Sequence, residues 1–130
     1  MYLLQRTSYG FILTLSGDLS AEDAAMYLED CTAACCDSGR PFGILVDART
    51  LKTIPLDTFK TLVESQQRLL EAGLERSALV LRDHDTEQAF TAIARHSGLA
   101  GRERVLKATR LMHWDIAALR WLEEGVEPPP

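Results

Sequence analysis

The sequence predicts a single α/β domain built on a mostly parallel five-stranded sheet with four helices. After an initial pair of β-prone runs, short apolar segments alternate with amphipathic segments, which is typical of parallel strands joined by right-handed helical crossovers. The apolar run 43–46 ends at Asp47, as expected of a buried central strand that reaches solvent at its carboxyl end. A chain of 130 residues with 46% hydrophobic and 25% charged residues has the size and composition of one globular domain.

An N-terminal β-hairpin opens the predicted fold. Residues 1–7 and 11–16 are β-prone runs separated by a short polar turn. Ser20 then predicts the N-cap of the first helix, and Gly39 predicts its end. One face of this helix is expected to be apolar, with residues at helical spacing: Ala24, Leu28, Cys31 and Cys35.

The central strand, about 42–47, leads into the second helix through a polar loop. Asp57 predicts the N-cap of that helix, which carries the clearest amphipathic stripe in the chain and ends at Gly73. A strand at 77–82 follows, and Asp85 begins a sequence typical of a capping box for the third helix.

A short strand at 104–109 and a helix beginning at Asp115 complete the predicted order β-β-α-β-α-β-α-β-α. We expect residues 1–125 to form the single domain. Residues 126–130 end in a run of prolines and are expected to form a flexible tail, because proline cannot continue a helix.

Composition disfavours several classes of function. The formal net charge of −5 and the pI of about 5.1 argue against a nucleic-acid partner, which would require phosphate neutralisation. No segment approaches the length of a transmembrane helix, so stable membrane insertion is not expected. An odd number of cysteines within one predicted helix indicates a reducing compartment, and we expect a cytoplasmic protein.

Charged side chains follow two neighbouring strands of the predicted sheet. Asp47 and Arg49 come at the end of the central strand, and Asp83 and His84 come at the end of the next one. The carboxyl ends of parallel strands meet at one edge, where these groups could form a crevice for a small anion or an acidic segment of a partner. The simpler alternative is that strand ends are wet and that Asp47 and Arg49 pair locally.

Three threonines near the central strand are candidate regulatory residues. A phosphate on Thr50, Thr53 or Thr58 would meet Arg49, Lys52 and a helix amino terminus, which together favour an anion. Threonines are also ordinary residues of loops and strands, so both interpretations are open.

The sequence Asp83-His84-Asp85 has the composition of an acid–base pair, since a carboxylate can orient an imidazole. Adjacent side chains point in different directions, however, and Asp85 is better explained as a helix cap. No nucleophile elbow, phosphate loop or zinc motif accompanies this segment. We therefore expect a non-catalytic protein.

The cysteines allow two interpretations. Cys31 and Cys35 lie on one helical face and could share a metal or respond to oxidation, but two thiolates do not complete a tetrahedral site. Burial as small hydrophobic side chains is the favoured alternative. Cys36 lies further round the helix and is the more reachable thiol. We expect neither a metal nor a cofactor.

Trp114 and Trp121 are seven residues apart and share a side of the last helix. Core packing is the favoured interpretation, and a face covered by a partner is the alternative. The hairpin edge and the apolar aromatic side chains also offer surface for a homodimer.

Three segments resemble one known group of proteins. They are LSGDLSAED at 15–23, ILVDARTLKTI at 44–54 and AALRWL at 117–122. These are similar to the strand-to-helix passage, the central strand with its following loop, and the closing helix of the bacterial SpoIIAA-like group, the STAS and STAS/SEC14-type domains. The resemblance implies a SpoIIAA-like fold and a regulatory module that acts by protein–protein contact.

The resemblance also implies a change at the regulatory position. Anti-sigma-factor antagonists of this group carry a phosphorylatable serine, in an Asp-Ser-Ser-Gly-type motif, where the helix after the central strand begins. Counted without gaps from Asp47, the serine position falls at Asp57 and the aspartate position at Pro55. We therefore expect a module without the usual phosphoserine switch, with its binding surface at 49–58. A small-ligand carrier or sensor, binding an anion or an apolar molecule at the carboxyl edge of the sheet, is the alternative.

Overall fold

A computed structural model describes residues 1–35, 40–82, 84 and 86–130. The side chain of Cys35 lies outside this description, as do Cys36, Gly39, Asp83 and Asp85, so the predictions made for these residues are not addressed by it. The elements are β1 (Tyr2–Arg6), β2 (Gly10–Asp18), α1 (Ala21–Cys35), β3 (Phe42–Thr53), α2 (Thr58–Ala72), β4 (Leu74–Leu81), α3 (Glu87–Ser97), a 3₁₀ turn (Ala100–Arg102), β5 (Glu103–Lys107) and α4 (Trp114–Glu124).

The five strands form one sheet in the order β1-β2-β3-β4-β5. β1 is antiparallel to β2, and every later neighbour is parallel, which confirms the predicted hairpin and mostly parallel sheet. Each helix from α1 to α3 connects a strand to its next neighbour, always in the same direction across the sheet. Because such connections are right-handed, α1, α2 and α3 lie on one face. α4 lies on the opposite face, where it packs on β3, β4 and β5.

The alternation of side chains along β4 separates two cores. Leu79 and Leu81 belong to the larger core under α1, α2 and α3, whereas Ala78 and Val80 belong to a smaller core under α4. All four residues are fully or almost fully buried. A strand covered on both faces must be apolar throughout, which is why β4 is a continuous apolar run from Ala78 to Leu81.

The prediction that the central strand ends at Asp47 is wrong, because β3 continues to Thr53. Its second half pairs with the second half of β2, which itself continues to Asp18. There Ser16 lies opposite Thr50 and Gly17 lies opposite Leu51. The register shifts within this part of the ladder, which disturbs the simple alternation that identifies strands in sequence. Residues 49–53 therefore belong to a strand and not to the loop that the sequence suggested.

The starts of the helices test the capping residues predicted from the sequence. The Asp23 N–H donates to Ser20 Oγ at 3.0 Å, which confirms Ser20 as the N-cap of α1. Asp57 directly precedes α2, but its side chain makes no capping bond, so that part of the prediction is wrong. The last helix begins at Trp114, one residue before the expected Asp115.

Trp121 is buried in the smaller core and its indole Nε1–H donates to the Ser77 carbonyl oxygen at 2.9 Å. The side chain of Trp114 is half-buried against the same core. Core packing thus accounts for both tryptophans. In the part of the chain that the structure describes, no helix has the length and apolar character required to cross a membrane.

Candidate interaction site

Asp47 and Arg49 form a closed pair on the α4 side of the sheet. Arg49 Nε–H and Nη2–H donate to the two carboxylate oxygens of Asp47, both at 2.9 Å. The Arg49 guanidinium also lies over the ring of Trp114, 4.5 Å from its centre. A bidentate ion pair stacked on an aromatic face is a well-ordered arrangement, so the local pairing that the sequence left as an alternative is the observed one.

This pairing controls the ionisation of Asp47. Partial burial alone would raise the pKa of the carboxyl group, but the hydrogen bonds and the positive charge of Arg49 outweigh burial and hold the pKa below its usual value. Asp47 is therefore an anion at neutral pH whose hydrogen-bonding capacity is largely used by Arg49. The arrangement favours a structural role for both groups.

His84 belongs to a second group of charges, beyond the end of β4. Its Nδ1 lies 2.7 Å from Glu87 Oε2, and Lys107 Nζ lies 2.8 Å from the same oxygen. The hydrogen bond from Lys107 is the largest influence that lowers the pKa of Glu87. In the described part of the chain, no contact joins this group to Asp47 or Arg49, so a shared crevice stays a prediction.

The hydroxyls of the three candidate threonines all have partners. Thr50 Oγ1–H donates to the Leu15 carbonyl oxygen at 3.3 Å, and Thr53 Oγ1–H donates to Asp18 Oδ1 at 2.5 Å. Thr58 is fully buried, and its hydroxyl donates to the Leu19 carbonyl oxygen at 2.9 Å. These bonds tie β3 and the start of α2 to the end of β2.

Between β3 and α2 lies a short projecting segment, residues 54–57, which we call the tip. Ile54 packs against the larger core, whereas Leu56 is 93% exposed. The turn is held by its backbone, because the Thr58 N–H donates to the Pro55 carbonyl oxygen at 2.9 Å. The tip therefore presents a leucine and the exposed carboxylate of Asp57 on an ordered support.

Sequence reasoning missed the exposure of Leu56 and the contact of Arg49 with Trp114. An apolar residue between Pro55 and Asp57, off the stripe of the second helix, is a weak signal for the former. Nothing in the spacing of Arg49 and Trp114 indicates the latter, since the two lie far apart in the chain and meet only through the topology.

Cys31 is fully buried in the larger core, as its favoured interpretation requires. Over the described ranges, no cluster of three or more histidine, cysteine, aspartate or glutamate side chains is arranged to hold a metal ion.

A cavity of about 420 Å³ runs between α4 and the carboxyl-terminal segment. The segment is attached to β5 by Glu127, whose two carboxylate oxygens accept hydrogen bonds from Arg104, both at 2.7 Å. The walls are mostly apolar and include Leu111, Met112, Ile116, Val126 and Pro128.

Comparison with solved structures identifies the fold. An uncharacterised protein of the DUF3478 family from Shewanella loihica PV-4, described as having a SpoIIAA-like fold, is 18% identical, with 94% of this chain and 92% of that chain covered and a TM-score of 0.64. An anti-sigma factor antagonist from Mycobacterium paratuberculosis is 17% identical, with 92% and 93% covered and a TM-score of 0.54.

The protein TM1081 is 13% identical to this chain, with 87% of this chain and 86% of that one covered and a TM-score of 0.53. No protein-family model matches the sequence, and no curated protein matches it. At such low identities the likeness concerns the backbone, and it agrees with the sheet order and the crossovers described above. The chain thus has the SpoIIAA-like, STAS-type fold.

Proposed function

We propose that this protein is a non-catalytic regulatory module that binds a protein partner through the tip at 54–57. The observation that carries the proposal is the 93% exposure of Leu56 on a backbone-ordered turn at the start of α2. An isolated leucine held away from its own core costs free energy in water and gains it in an apolar pocket of a partner. The structural likeness to an anti-sigma factor antagonist supports the same class of function.

The proposed module works without a phosphoserine switch. The position that precedes α2 is Asp57, an exposed carboxyl side chain at the amino-terminal end of the helix, where the helix dipole favours negative charge. Thr58 is fully buried and its hydroxyl is bonded to Leu19, so a kinase would have to unfold the start of α2 to reach it. A fixed carboxylate would leave the module permanently in one regulatory state.

The framework beside the tip supports binding by fixing its position. Its bonds of Thr53 to Asp18 and of Thr58 to the Leu19 carbonyl oxygen hold the end of β3 and the start of α2 in place. Its pair of Asp47 and Arg49, stacked on Trp114, orders the middle of β3. A rigid support lowers the entropic cost of immobilising Leu56 in a complex.

The experiment is a comparison of two charged substitutions at exposed leucines. Leu56→Asp places a carboxylate in the tip, and Leu119→Asp places one on α4, where Leu119 is 44% exposed. A photo-crosslinking amino acid at position 56 captures the partner in extracts of the native host, and the purified partner is then titrated against each variant. We expect Leu56→Asp to abolish binding and Leu119→Asp to retain it. Equal binding by both variants would refute the tip as the interface.

A small-ligand carrier is the second candidate function, and the apolar cavity of about 420 Å³ along α4 favours it. Arg49 is less suited to an anion, because two of its N–H groups donate to the Asp47 carboxylate, whose negative charge already balances the guanidinium. Native mass spectrometry of the protein from its own host separates the two functions. Extra mass that dissociates on denaturation, and that Ile116→Trp displaces by filling the cavity, would favour the carrier.

A further inference from the structure

The outer edge of β1 is unpaired among the described residues, since β1 is the first strand of the sheet and bonds only to β2. The opposite edge is different, because Glu127 of the carboxyl-terminal segment is bound to Arg104 of β5 and prolines follow it. Prolines and a covering segment are common protections of an edge strand, whereas a bare edge is a template for another strand.

The hydrogen bonds of the hairpin determine which backbone groups face outward. Thr7 and Gly10 exchange N–H···O bonds of 2.8 and 3.4 Å, and Met1 and Ser16 exchange bonds of 3.0 and 3.1 Å. Bonded and non-bonded pairs alternate in an antiparallel ladder, so Leu3 and Gln5 also bond to β2. The N–H and C=O groups that face away from β2 are therefore those with even numbers: Tyr2, Leu4 and Arg6.

We propose that β1 pairs antiparallel with β1 of a second copy of this chain, about a two-fold axis at Leu4. In this register Leu4 faces Leu4 of the second copy, and Tyr2 faces its Arg6. All the outward groups then form bonded pairs, each exchanging two N–H···O bonds. The edge is thus complementary to itself, with no outward group of β1 left over.

The side chains of this register also match in charge. Tyr2, Leu4 and Arg6 all point toward α1, since they lie opposite residues of β2 that face the larger core. The Tyr2 hydroxyl donates to Asp30 Oδ2 at 2.7 Å. Arg6 is exposed and forms no ion pair with the described residues. Pairing places Arg6 beside Tyr2 of the second copy, within reach of the Asp30 carboxylate that accepts the hydrogen bond from that Tyr2. The two-fold symmetry forms the same contact a second time.

Exposed apolar side chains border the edge on both faces of the sheet. Leu3 is 56% exposed on the α4 side, where α4 packs on β3, β4 and β5. On the other side Met26 is 48% exposed, and by helical spacing it lies between Asp23 and Asp30, which bind the Met1 amino group and the Tyr2 hydroxyl. Five paired residues bury little apolar area alone, so these side chains supply the hydrophobic part of the interface.

The arrangement has a consequence for function. A two-fold axis perpendicular to β1 reverses the second sheet, so the carboxyl edges of the two copies point in opposite directions. The assembly would be one continuous sheet twice as wide as the five-stranded sheet. The two copies of Leu56 would lie at opposite edges of that sheet, each after the carboxyl end of its own β3. Two partners could then bind without touching each other.

Sedimentation equilibrium of the purified chain over a wide concentration range tests the proposal. We expect a species of twice the 14.5 kDa chain mass at high concentration. Leu4→Pro removes the outward N–H while leaving the bonds to β2, and Leu4→Val keeps the N–H as a matched control. We expect Leu4→Pro to weaken association by about tenfold or more and Leu4→Val to change it much less.

Two further measurements keep the proposal testable if Leu4→Pro fails to fold. Arg6→Glu places like charges beside Asp30 of the second copy and should weaken association, most strongly at low salt. Amide hydrogen exchange should show that protection of Tyr2, Leu4 and Arg6 rises with protein concentration, while Leu3 and Gln5 are protected throughout. A monomer at every concentration, or a dimer in which the even-numbered amides stay unprotected, would overturn the proposal.

Discussion

The segment from the middle of β3 to the start of α2 contains two regions with opposite properties, the framework and the tip. In the framework, the side chains of Asp47, Arg49 and Thr58 are bonded to specific partners. In the tip, Leu56 is 93% exposed, and no side-chain bond joins Asp57 to any other described residue. The side chains of the framework are ordered by their own contacts, whereas Leu56 and Asp57 of the tip face solvent.

This difference separates structural residues from candidate binding residues better than residue type does. Charged residues at strand ends suggest a binding site, yet Asp47 and Arg49 use their polar groups on each other. Leu56 is the kind of residue usually assigned to a core, yet it lies on the surface. Substitutions in the framework should therefore change stability, and substitutions in the tip should change binding alone.

Among substitutions in the framework, the largest effect on stability is expected from Thr58→Val. The substitution keeps the shape of the side chain but removes the hydroxyl that donates to the Leu19 carbonyl oxygen in the core. A buried acceptor left without its partner costs about 1–3 kcal/mol, and chemical denaturation should show a decrease of that size in the free energy of unfolding. Thr50→Val is the matched control, because Thr50 is exposed and should change stability by less than about 0.5 kcal/mol. Equal effects would mean that the framework is not held by the Thr58 bond.

A smaller loss is expected from Arg49→Ala. The variant loses the bidentate pair with Asp47 and the stacking on Trp114, but Arg49 is 43% exposed and solvent screens the pair. The expected decrease is at most about 1 kcal/mol, measured by the same denaturation assay. Lys52→Ala removes a neighbouring exposed cation and should have almost no effect. A larger loss for Lys52→Ala would show that net charge, and not this pair, stabilises the edge.

The pair of Asp47 and Arg49 also makes the free energy of unfolding depend on pH, with a smaller amplitude than the losses expected from Thr58→Val and Arg49→Ala. The pKa of Asp47 is held below its usual value in the folded chain, so ionised Asp47 stabilises the fold at pH values above the unfolded-state pKa. That stabilisation is lost as pH falls through the folded-state pKa. Titration of the Asp47 carboxyl carbon by NMR should show a higher pKa in Arg49→Ala, because the side-chain hydrogen bonds and the charge of Arg49 are lost, while burial and the hydrogen bond from the backbone N–H of residue 49 remain. An unchanged pKa would mean that Arg49 does not set the ionisation of Asp47.

Much of the fold could be predicted because its determinants are local. Ser20 begins α1, Gly73 ends α2, and apolar runs mark the parallel strands. The second half of β3 could not be predicted, because residues 49–53 lack regular alternation and are ordered by pairing with β2. That pairing is a contact between distant parts of the chain and leaves no periodic trace in either segment.

The candidate site was harder to predict than the fold. Sequence placed Asp47, Arg49 and His84 at one edge, but it could not show that Arg49 turns toward Asp47 and Trp114 while His84 turns toward Glu87. Side-chain partners depend on distances of a few ångströms that follow from packing. The exposure of Leu56 has the same origin, because the turn that begins α2 directs this leucine away from both cores.

At Leu56, where the proposed effect on binding is largest, the expected effect on stability is small. Leu56→Ala removes apolar atoms that already lie in water, so the free energy of unfolding should change by less than about 0.5 kcal/mol. Leu62→Ala in the following helix, α2, is the contrast, because Leu62 is 2% exposed and its truncation should cost about 2–5 kcal/mol. A loss above about 1 kcal/mol for Leu56→Ala would mean that the leucine packs on its own chain in solution. It would then no longer be available to a partner, so this measurement tests the tip before any partner is identified.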